Sequence, residues 1–331
     1  MAKIGLSVII PLYNAKGWIA PTVRHIVDAL QQADSYDAEI IIIDDGSTDG
    51  SKDEALALQV PSKFKLNVVT QKNTGRYLAR KRGVELSTKD NILFIDSRVF
   101  IHKDALSFLK EQLKETTDQI WNAHVYIDKK GNIFARFWDA IVYIGWRRYF
   151  KNPKTTSYGL EEFDYYPKGT TMIYMPKKRL MASMKDFETT TNDIEFSSDD
   201  TLLIRYMAER QPIHLSPGFS CIYHGRSTFK KFLLHAYDRG QFFVDGFLRP
   251  NTRFFIPLIL FLIATPLILV GLIIYPVLFL GLVGVWLLEL FMALLLGALL
   301  ADALSLFILT PIFAIVYGAG IWRGFLRKIT P

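Results

Sequence analysis

A single stretch near the end of this 331-residue sequence limits what the chain can fold into. From Phe254 to Trp322, 69 residues contain only two charged side chains, Glu289 and Asp302. One crossing of a bilayer takes about 20 apolar residues. The chain is therefore expected to be an integral membrane protein with a soluble part of 253 residues. This excludes a purely cytosolic enzyme, a secreted disulfide scaffold and a disordered chain.

The number of crossings is not decided by the sequence. The length of the apolar stretch fits three spans, roughly Phe254–Ile274, Pro276–Leu296 and Asp302–Trp322. Five basic residues flank the stretch: Arg249 and Arg253 before it, and Arg323, Arg327 and Lys328 after it. Basic flanks tend to stay in the cytoplasm, and both ends on one side require an even number of crossings. Two, three or four spans remain open.

The charge balance narrows the choice of partners. The chain carries 39 Lys and Arg against 32 Asp and Glu. Three of these basic and two of these acidic residues lie beyond residue 253, so the soluble part has an excess of six positive charges. Such an excess beside a membrane suits membrane lipids with anionic headgroups or phosphorylated substrates, and it equally fits an ordinary solvated surface. No nucleic-acid motif or basic block is present, so no nucleic acid is expected as a partner.

The single cysteine and the first residues bear on location. Cys221 can form neither an intramolecular disulfide nor a cysteine metal cluster, which agrees with a reducing compartment. The opening residues contain an apolar run broken by Pro11 and no signal-peptide cleavage site. We expect a multi-pass protein of the cytoplasmic membrane whose soluble part faces the cytoplasm.

Apolar runs alternate with stretches of helical spacing over the first 115 residues. The runs predict four buried strands: Leu6–Ile10, Glu39–Ile43, Leu66–Thr70 and Asn91–Ile95. The remaining stretches predict four helices: Gly17–Gln32, Ser51–Leu58, Thr74–Leu86 and Lys103–Glu115. This alternation predicts an α/β fold, a Rossmann-like and mostly parallel sheet with helices on both faces.

Polar residues follow each of the four predicted strands. The segments that contain these polar residues are Pro11 to Asn14 after the first strand, Asp44 and Asp45 after the second, Gln71 to Asn73 after the third, and Asp96 to Arg98 after the fourth. Ligands bind at the carboxyl ends of strands in such sheets. Surface turns are polar anyway, but acidic residues at two of the four ends favour a binding site.

Two later segments are apolar and aromatic with basic residues among them. Phe137–Phe150 is predicted either to lie on the membrane surface or to form a buried core helix. Thr228–Leu248 leads directly into the apolar stretch, and we expect this segment to be an interfacial amphipathic helix.

Three motifs occur in order, each at a predicted strand. The first is Ser7-Val8-Ile9-Ile10-Pro11-Leu12-Tyr13-Asn14, the second is Asp44-Asp45-Gly46-Ser47-Thr48-Asp49, and the third runs from Asn73-Thr74-Gly75 to Arg80-Lys81-Arg82-Gly83. Together they resemble the inverting family 2 glycosyltransferases of the GT-A type, over about residues 5–240. The motif pattern is most similar to that of membrane-anchored, succinoglycan-type exopolysaccharide enzymes. Lys81 stands where the family has asparagine.

The resemblance implies a nucleotide-sugar donor and a set of residues that bind it. Asp44 or Asp45 would contact the base, and the diphosphate needs a positive charge or a metal. The implied donor-binding residues are Pro11, Tyr13, Asn14, Asp44, Asp45, Asn73, Gly75, Arg80, Asp96, Arg98 and Arg226.

A divalent cation, Mn²⁺ or Mg²⁺, is implied as the cofactor, but the motif that would hold it is altered. The family has an Asp-x-Asp pair after the fourth strand, whereas this chain has Asp96-Ser97-Arg98. Asp96 would hold the metal with help from His224, or Arg98 would partly replace the ion. His224-Gly225-Arg226 resembles a segment found before the membrane region of exopolysaccharide enzymes. A lone histidine can equally be structural.

An inverting transfer to a hydroxyl needs a general base. Ser198-Asp199-Asp200-Thr201-Leu202-Leu203-Ile204-Arg205 resembles the family's E-D-x-x-L-x-x-R, with Asp199 as the base and Asp200 as its rival. Two aspartates also suit the start of any helix. Gly169 and Thr170 lie where the family has an acceptor-side turn, although this match is loose.

Three functions follow from the resemblance. The first is transfer of a sugar to a hydroxyl of a membrane- or lipid-linked saccharide, in polysaccharide or glycolipid biosynthesis. The second is transfer to a polyprenyl phosphate, as by dolichyl-phosphate mannose synthases, which needs no base. The third is an inactive membrane scaffold that binds sugar nucleotides. The implied domains are a glycosyltransferase domain (1–227), an interfacial segment (228–253), a transmembrane region (254–322) and a basic tail (323–331). The oligomeric state is unknown.

Overall fold

A computed structural model describes residues 3–186 and 199–330, except the side chains of Asp199 and Asp200. The described residues form two compact units. The first comprises residues 3–127, 152–186 and 199–224, and it contains the sheet. The second comprises residues 128–151 and 225–330, and it is helical.

Within residues 3–186 and 199–224, the sheet of the first unit has nine strands. They are β1 (Ile4–Leu12), β2 (Tyr36–Asp44), β3 (Lys65–Thr70), β4 (Asn91–Ile95), β5 (Val99–Ile101), β6 (Ile120–Ile127), β7 (Thr156–Tyr158), β8 (Met172–Pro176) and β9 (Ile213–Tyr223). The order is β3-β2-β1-β4-β8-β6-β9-β5, and β7 also pairs with β9. Strands β1 to β4 are mutually parallel, β8 is antiparallel to β4 and β6, and β9 is parallel to β6.

The helices of the first unit are α1 (Ile19–Ala33), α2 (Ser51–Leu56), α3 (Arg76–Leu86), α4 (Ala105–Gln112), α7 (Lys177–Lys185) and α8 (Asp199–Ala208). Those of the second unit are α5 (Ile133–Gly145), α6 (Arg147–Phe150), α9 (Phe229–Phe247), α10 (Phe255–Ile274), α11 (Leu278–Leu295) and α12 (Leu300–Ile329). The α/β fold and the four predicted strands and helices of residues 1–115 are confirmed, with ends shifted by a few residues.

Both faces of the parallel strands are covered, as their unbroken apolar sequences predicted. Alternate side chains of β1, such as Leu6 and Val8, pack in one buried cluster with residues of α1 and α4. On the other face, a Cβ added to Gly83 of α3 would lie 2.4 Å from the Ile9 side chain. Only glycine lets α3 approach β1 this closely.

The second unit contains three helices long and apolar enough to cross a membrane, α10, α11 and α12, of 20, 18 and 30 residues. Helix α12 packs against α9 through backbone. A Cβ added to Gly320 would lie 2.1 Å from the Tyr237 carbonyl oxygen, and one added to Gly240 would lie 2.3 Å from that of Tyr317. Close approach of this kind is typical of small residues at membrane helix contacts.

Buried charges hold the start of α12 against α5. Asp302 is 4% exposed, and its carboxylate accepts from Lys129 Nζ at 2.8 Å and from Arg136 Nη1 at 3.0 Å. Lys129 also donates to Asp139 at 2.7 Å. Asp302, near the start of α12, therefore forms structural ion pairs with Lys129 and Arg136. Glu289 accepts from the Thr310 hydroxyl at 2.6 Å, between α11 and α12.

Candidate active site

The strand directions collect the predicted polar residues at one edge of the sheet. The carboxyl ends of β1, β2, β3, β4, β6 and β9 lie there, together with the start of β8, because β8 is antiparallel to β4. Asp44 is the last residue of β2, Asn14, Asp96 and His224 follow strands, and Thr171 precedes β8.

The loop after β1 is tied to the loop after β2. Asn14 has a left-handed backbone (φ 48°), its N–H donates to Ser47 Oγ at 3.0 Å, and its side-chain oxygen accepts from Thr48 N at 2.9 Å. Asparagine tolerates this backbone region better than most residues. Tyr13 beside it is half-exposed at the edge. These contacts give the Ser47–Thr48 turn a fixed shape before any ligand binds.

Asp49 anchors the same loop. Burial would raise the pKa of Asp49, but hydrogen bonds from the Ser51 hydroxyl and from the backbone N–H groups of Lys16 and Ser51 outweigh it, so the pKa lies below its ordinary value. The carboxylate is therefore ionised at neutral pH, where it holds the two loops together.

The adjacent aspartates Asp44 and Asp45 have different environments. Asp45 accepts four hydrogen bonds, from Gln71 Nε2 at 2.8 Å, from Thr74 N at 3.0 Å and Oγ1 at 3.3 Å, and from Gly75 N at 2.9 Å. Its lone pairs are used to shape the loop before α3. The sequence did not distinguish these two residues, because only the local fold decides which one meets that loop.

Asp44 keeps one oxygen for another partner. Its side chain is fully buried, and Oδ1 accepts from Ser47 N at 3.2 Å. Oδ2 is buried and has no hydrogen-bond partner among residues 3–186 and 199–330. A buried acceptor left without a donor costs about 1–3 kcal/mol. A ligand that donates an N–H group to Oδ2 would remove this cost.

Asp96 and Arg80 form an ion pair at the end of β4. Arg80 Nη2 lies 2.9 Å from Asp96 Oδ1; the arginine side chain is 3% exposed and the aspartate side chain is 32% exposed. The Arg80 guanidinium also lies over the Phe94 ring, 5.9 Å from its centroid. Arg80, predicted to bind the donor, is buried behind Asp96 and orients that carboxylate.

Arg98 and His224 belong to an aromatic cluster beside Asn14. Arg98 Nη2 donates to the Asn14 carbonyl at 3.3 Å, and its guanidinium lies 5.6 Å from the Trp18 ring centroid. The His224 ring lies 4.9 Å from Trp18 and 4.2 Å from Phe100. His224 N donates to the Arg98 carbonyl at 3.0 Å. The arginine therefore presents a fixed positive charge at the edge that carries Asp44.

The turn predicted to lie on the acceptor side is next to Asp96, whose N–H donates to the Thr171 carbonyl at 3.0 Å. Gly169 N donates to Asn122 Oδ1 at 3.1 Å, and Thr170 is buried. The loose sequence match at Gly169 and Thr170 thus falls on a loop at the site edge.

The candidate bases begin helix α8, and their side chains lie outside the described residues. The helix itself is anchored by Arg205, whose Nη2 lies 2.6 Å from Asp164 Oδ1. Lys168 Nζ lies 3.9 Å from the same oxygen and donates to the Tyr166 carbonyl at 3.2 Å. All three side chains are at least four-fifths buried. Asp164 was missed because no motif marks it.

The other residues predicted to bind the donor are Pro11, Asn73 and Arg226. Pro11 lies inside β1, paired with Ile43 of β2, and Asn73 is an exposed loop residue whose oxygen accepts from Gly75 N at 3.2 Å. Gly46 has a left-handed backbone (φ 75°), and a Cβ on it would lie 2.9 Å from Asn73 N. Arg226 is exposed and belongs to the second unit.

Among the residues that the structure describes, no group of three or more His, Cys, Asp or Glu side chains could hold a metal by itself. Asp96 supplies one carboxylate, with Oδ1 engaged by Arg80. Mg²⁺ is commonly held by one or two carboxylates together with substrate phosphates and water. The residues at this edge therefore fit a cation that arrives with a phosphorylated ligand.

Residues 7–177, more than half of the chain, match the family described as Glycosyl transferase family 2. The chain belongs to this family. The predicted family, the α/β architecture with apolar C-terminal helices and the assignment as a glycosyltransferase are thereby confirmed. Family 2 glycosyltransferases commonly use divalent cations.

Several bacterial glycosyltransferases are similar to part of this family 2 chain. It is 28% identical over 132 residues to GlyG of Streptococcus pneumoniae, which is 39% of this chain and 42% of GlyG. It is 35% identical over 108 residues to the amylovoran biosynthesis glycosyltransferase AmsB of Erwinia amylovora, which is 32% of this chain and 35% of AmsB. Each match spans less than half of the relative's length.

Among solved structures, residues 1–349 of TarS from S. aureus, crystallised with UDP-GlcNAc, align with a TM-score of 0.49 and 14% identity. The alignment covers 73% of this chain and 67% of that one.

Proposed function

We propose that this family 2 enzyme transfers a sugar, with inversion, from a nucleotide-sugar donor to a hydroxyl group of a membrane- or lipid-linked saccharide. The reaction would serve the synthesis of a cell-surface polysaccharide or glycolipid. It would take place at the cytoplasmic membrane, with the sheet-containing unit facing the cytoplasm.

The observation that carries the proposal is the buried Asp44 carboxylate, whose Oδ2 has no partner in the described chain. Pyrimidine and purine bases present N–H groups that such an oxygen can accept. Asp45 cannot replace it, because all its hydrogen bonds go to the loop before α3. Asp44 is therefore proposed to bind the base of the donor.

The diphosphate of the donor would lie towards Asp96 and Arg98. As the bond between C1 of the sugar and the phosphate oxygen breaks, its electron pair leaves with the nucleoside diphosphate. Arg98 is held by Asn14 and Trp18, so its charge is already in place when this negative charge develops.

A divalent cation, Mn²⁺ or Mg²⁺, would be held by Asp96 and by the donor's own phosphates, and it would supply additional positive charge. The protein's part is to orient the carboxylate, and Arg80 does this from behind. The His224 ring makes tilted contacts with the rings of Phe100 and Trp18, and His224 stays a proposed second ligand.

Asp199, with Asp200 as the alternative, is proposed as the general base at the start of α8. It would take the proton of the acceptor hydroxyl as the oxygen attacks C1 from the face opposite the leaving phosphate. The Arg205–Asp164 ion pair keeps α8 in place relative to the acceptor-side loop that contains Lys168. A displacement of about 1 Å at such a site can cost a hundredfold in rate.

Donor binding is tested by calorimetry on the full chain with UDP, GDP and dTDP sugars, with and without Mn²⁺. Asp44→Asn is expected to weaken the preferred donor at least tenfold. The exposed Asp53→Asn in α2 is the matched control and is expected to bind normally. Equal binding by Asp44→Asn and the wild type would remove the central observation.

Catalysis is tested by transfer of labelled sugar to membrane lipids. Loss of more than a hundredfold in kcat, with unchanged donor affinity, is expected for Asp199→Asn or for Asp200→Asn. Full activity in both variants would refute the proposed base. A product that releases sugar in mild acid would instead identify a polyprenyl-phosphate acceptor. Donor binding without any turnover would indicate the inactive scaffold.

A further inference from the structure

The two basic flanks of the membrane helices meet within the second unit. Lys328, in the last turn of α12, donates through Nζ to the Leu248 carbonyl at 3.2 Å. Leu248 follows α9 directly and precedes Arg249. These residues are 80 positions apart in sequence. The end of the last apolar helix therefore contacts the segment that leads into the first.

Apolar packing supports the same arrangement. Leu248 and Val244, at the end of α9, form one buried cluster with Leu258 and Leu262 of α10 and Ile321 of α12. A Cβ added to Gly324 would lie 3.0 Å from the Gln241 carbonyl oxygen, so α12 follows α9 closely towards this end. The start of α10 and the end of α12 thus lie close to the same end of α9.

This arrangement concentrates positive charge. The segments 246–254 and 318–330 contain five cations, Arg249, Arg253, Arg323, Arg327 and Lys328, and no acidic residue. Asp245 directly precedes the first of these segments and is completely buried. The backbone carbonyl of Asp245 accepts from Arg249 Nε at 3.3 Å. Arg253 and Arg323 are exposed.

Aromatic side chains lie beside these cations. Phe254 contacts both Phe243 and Phe247, with ring centroids 5.4 and 5.1 Å apart, and the Arg253 guanidinium lies 5.3 Å from the Phe254 centroid. Trp322 contacts Phe325 on α12. Aromatic rings beside basic residues are typical of the membrane–water interface.

We propose that these five residues, the basic patch, form one binding site for the phosphate groups of anionic phospholipids. Arginine binds phosphate through two parallel N–H donors, and each basic residue near an anionic membrane surface adds to the attraction. The same geometry would place both ends of the apolar stretch on one side, which requires an even number of crossings, so at most two of the helices α10, α11 and α12 cross the bilayer completely. The proposal does not depend on the function of the enzyme.

The first experiment titrates the detergent-solubilised full chain with short-chain phosphatidylglycerol or phosphatidylcholine and follows thermal unfolding. Stabilisation by the anionic lipid alone is expected. Arg253→Gln/Arg323→Gln removes two exposed charges without disturbing the Lys328 contact and is expected to weaken this lipid about tenfold. Lys230→Gln/Lys231→Gln, an equal charge change at the other end of α9, is the matched control and is expected to bind as wild type.

Three results would overturn the site: equal stabilisation by both lipids, equal weakening in the control variant, or full competition by inorganic phosphate. Full competition would identify a site for small anions. Arg249→Lys/Lys328→Arg preserves both charges and is expected to retain lipid binding.

The second experiment tests the shared side by labelling with a membrane-impermeant maleimide in sealed vesicles of known orientation. Cysteines introduced by Asn251→Cys and by Thr330→Cys are expected to react from the same side. The native Cys221 is fully buried, and the unsubstituted protein provides its background. Reaction from opposite sides would overturn the proposal.

Discussion

The loops after β1, β2 and β3, which we propose to bind the donor and call the donor-side loops, and the helix contacts of the second unit are held in place by different means. In the loops, polar side chains such as Asn14 and Asp45 bind backbone N–H groups one by one. In the helical unit, α9 and α12 approach each other at the glycines Gly240 and Gly320, apolar side chains form buried clusters, and a few buried charges are added. Loops need hydrogen-bond partners because their backbone is not paired, whereas helices already satisfy their own.

The largest effect is expected from a large side chain at the α9–α12 contact. Gly320→Leu should reduce the free energy of unfolding by about 3 kcal/mol or more, because backbone fills the space that its Cβ would need. Chemical unfolding of the detergent-solubilised chain measures this. Gly284→Leu on α11, where a Cβ meets nothing within 4 Å, is the control. Equal losses would mean that close backbone packing does not hold this unit together.

A buried charge in the helical unit ranks next. Asp302→Asn should cost about 3 kcal/mol, because Lys129 and Arg136 lose the carboxylate that both contact. Adding Arg136→Gln should recover part of the loss, since fewer cations are then left uncompensated. The same unfolding measurement, run as a double-mutant cycle, decides this. Strict additivity of the two variants would contradict it.

Replacing a polar side chain of the donor-side loops should reduce the free energy of unfolding slightly less. Asp45→Asn should cost about 2 kcal/mol, since an amide cannot accept hydrogen bonds at both of its ends. Thermal unfolding and donor affinity should fall together, because the loop before α3 loses its anchor. The result would be contradicted if Asp45→Asn were as stable as Asp53→Asn.

The smallest expected effect is a pH dependence of the free energy of unfolding that comes from one histidine of the sheet. Burial, and to a lesser extent the charge of His102, lower the pKa of His124 in β6 to about 4. The unfolded chain then binds more protons between about pH 6.5 and 4, so stability is complete above pH 6.5 and is lost as the pH falls. About 1 kcal/mol should be lost by pH 5.5. His124→Gln should flatten this part of the stability profile, and an unchanged slope would exclude His124 as its origin.

Sequence patterns predicted those parts of the molecule in which position along the chain decides position in space. Apolar runs of strand length identified β1 to β4, and the carboxyl ends of parallel strands meet at one edge of any such sheet. Asn14, Asp44 and Asp96 were therefore expected together, and they lie at that edge. Length and hydrophobicity predicted membrane-length apolar helices after residue 253, but left their number open between two, three and four.

Contacts between residues distant in sequence could not be predicted in this way. The two neighbouring aspartates Asp44 and Asp45 look equivalent in the sequence, yet one shapes a loop and the other keeps a buried oxygen available. Asp164 carries no motif, and its role depends on Arg205, 41 residues away. Each of these outcomes depends on which donors and acceptors the folded backbone brings within 3 Å of each other.

The sequence by itself determined the family, the α/β class, the edge of the sheet at which the polar residues gather and the apolar nature of the last helices. Only the tertiary structure decided that Arg80 supports Asp96, that glycine backbones join α9 to α12, and that Lys328 reaches Leu248. The physical reason is that periodic patterns encode which face of an element is buried. The partner that covers it is chosen by the packing of the whole chain.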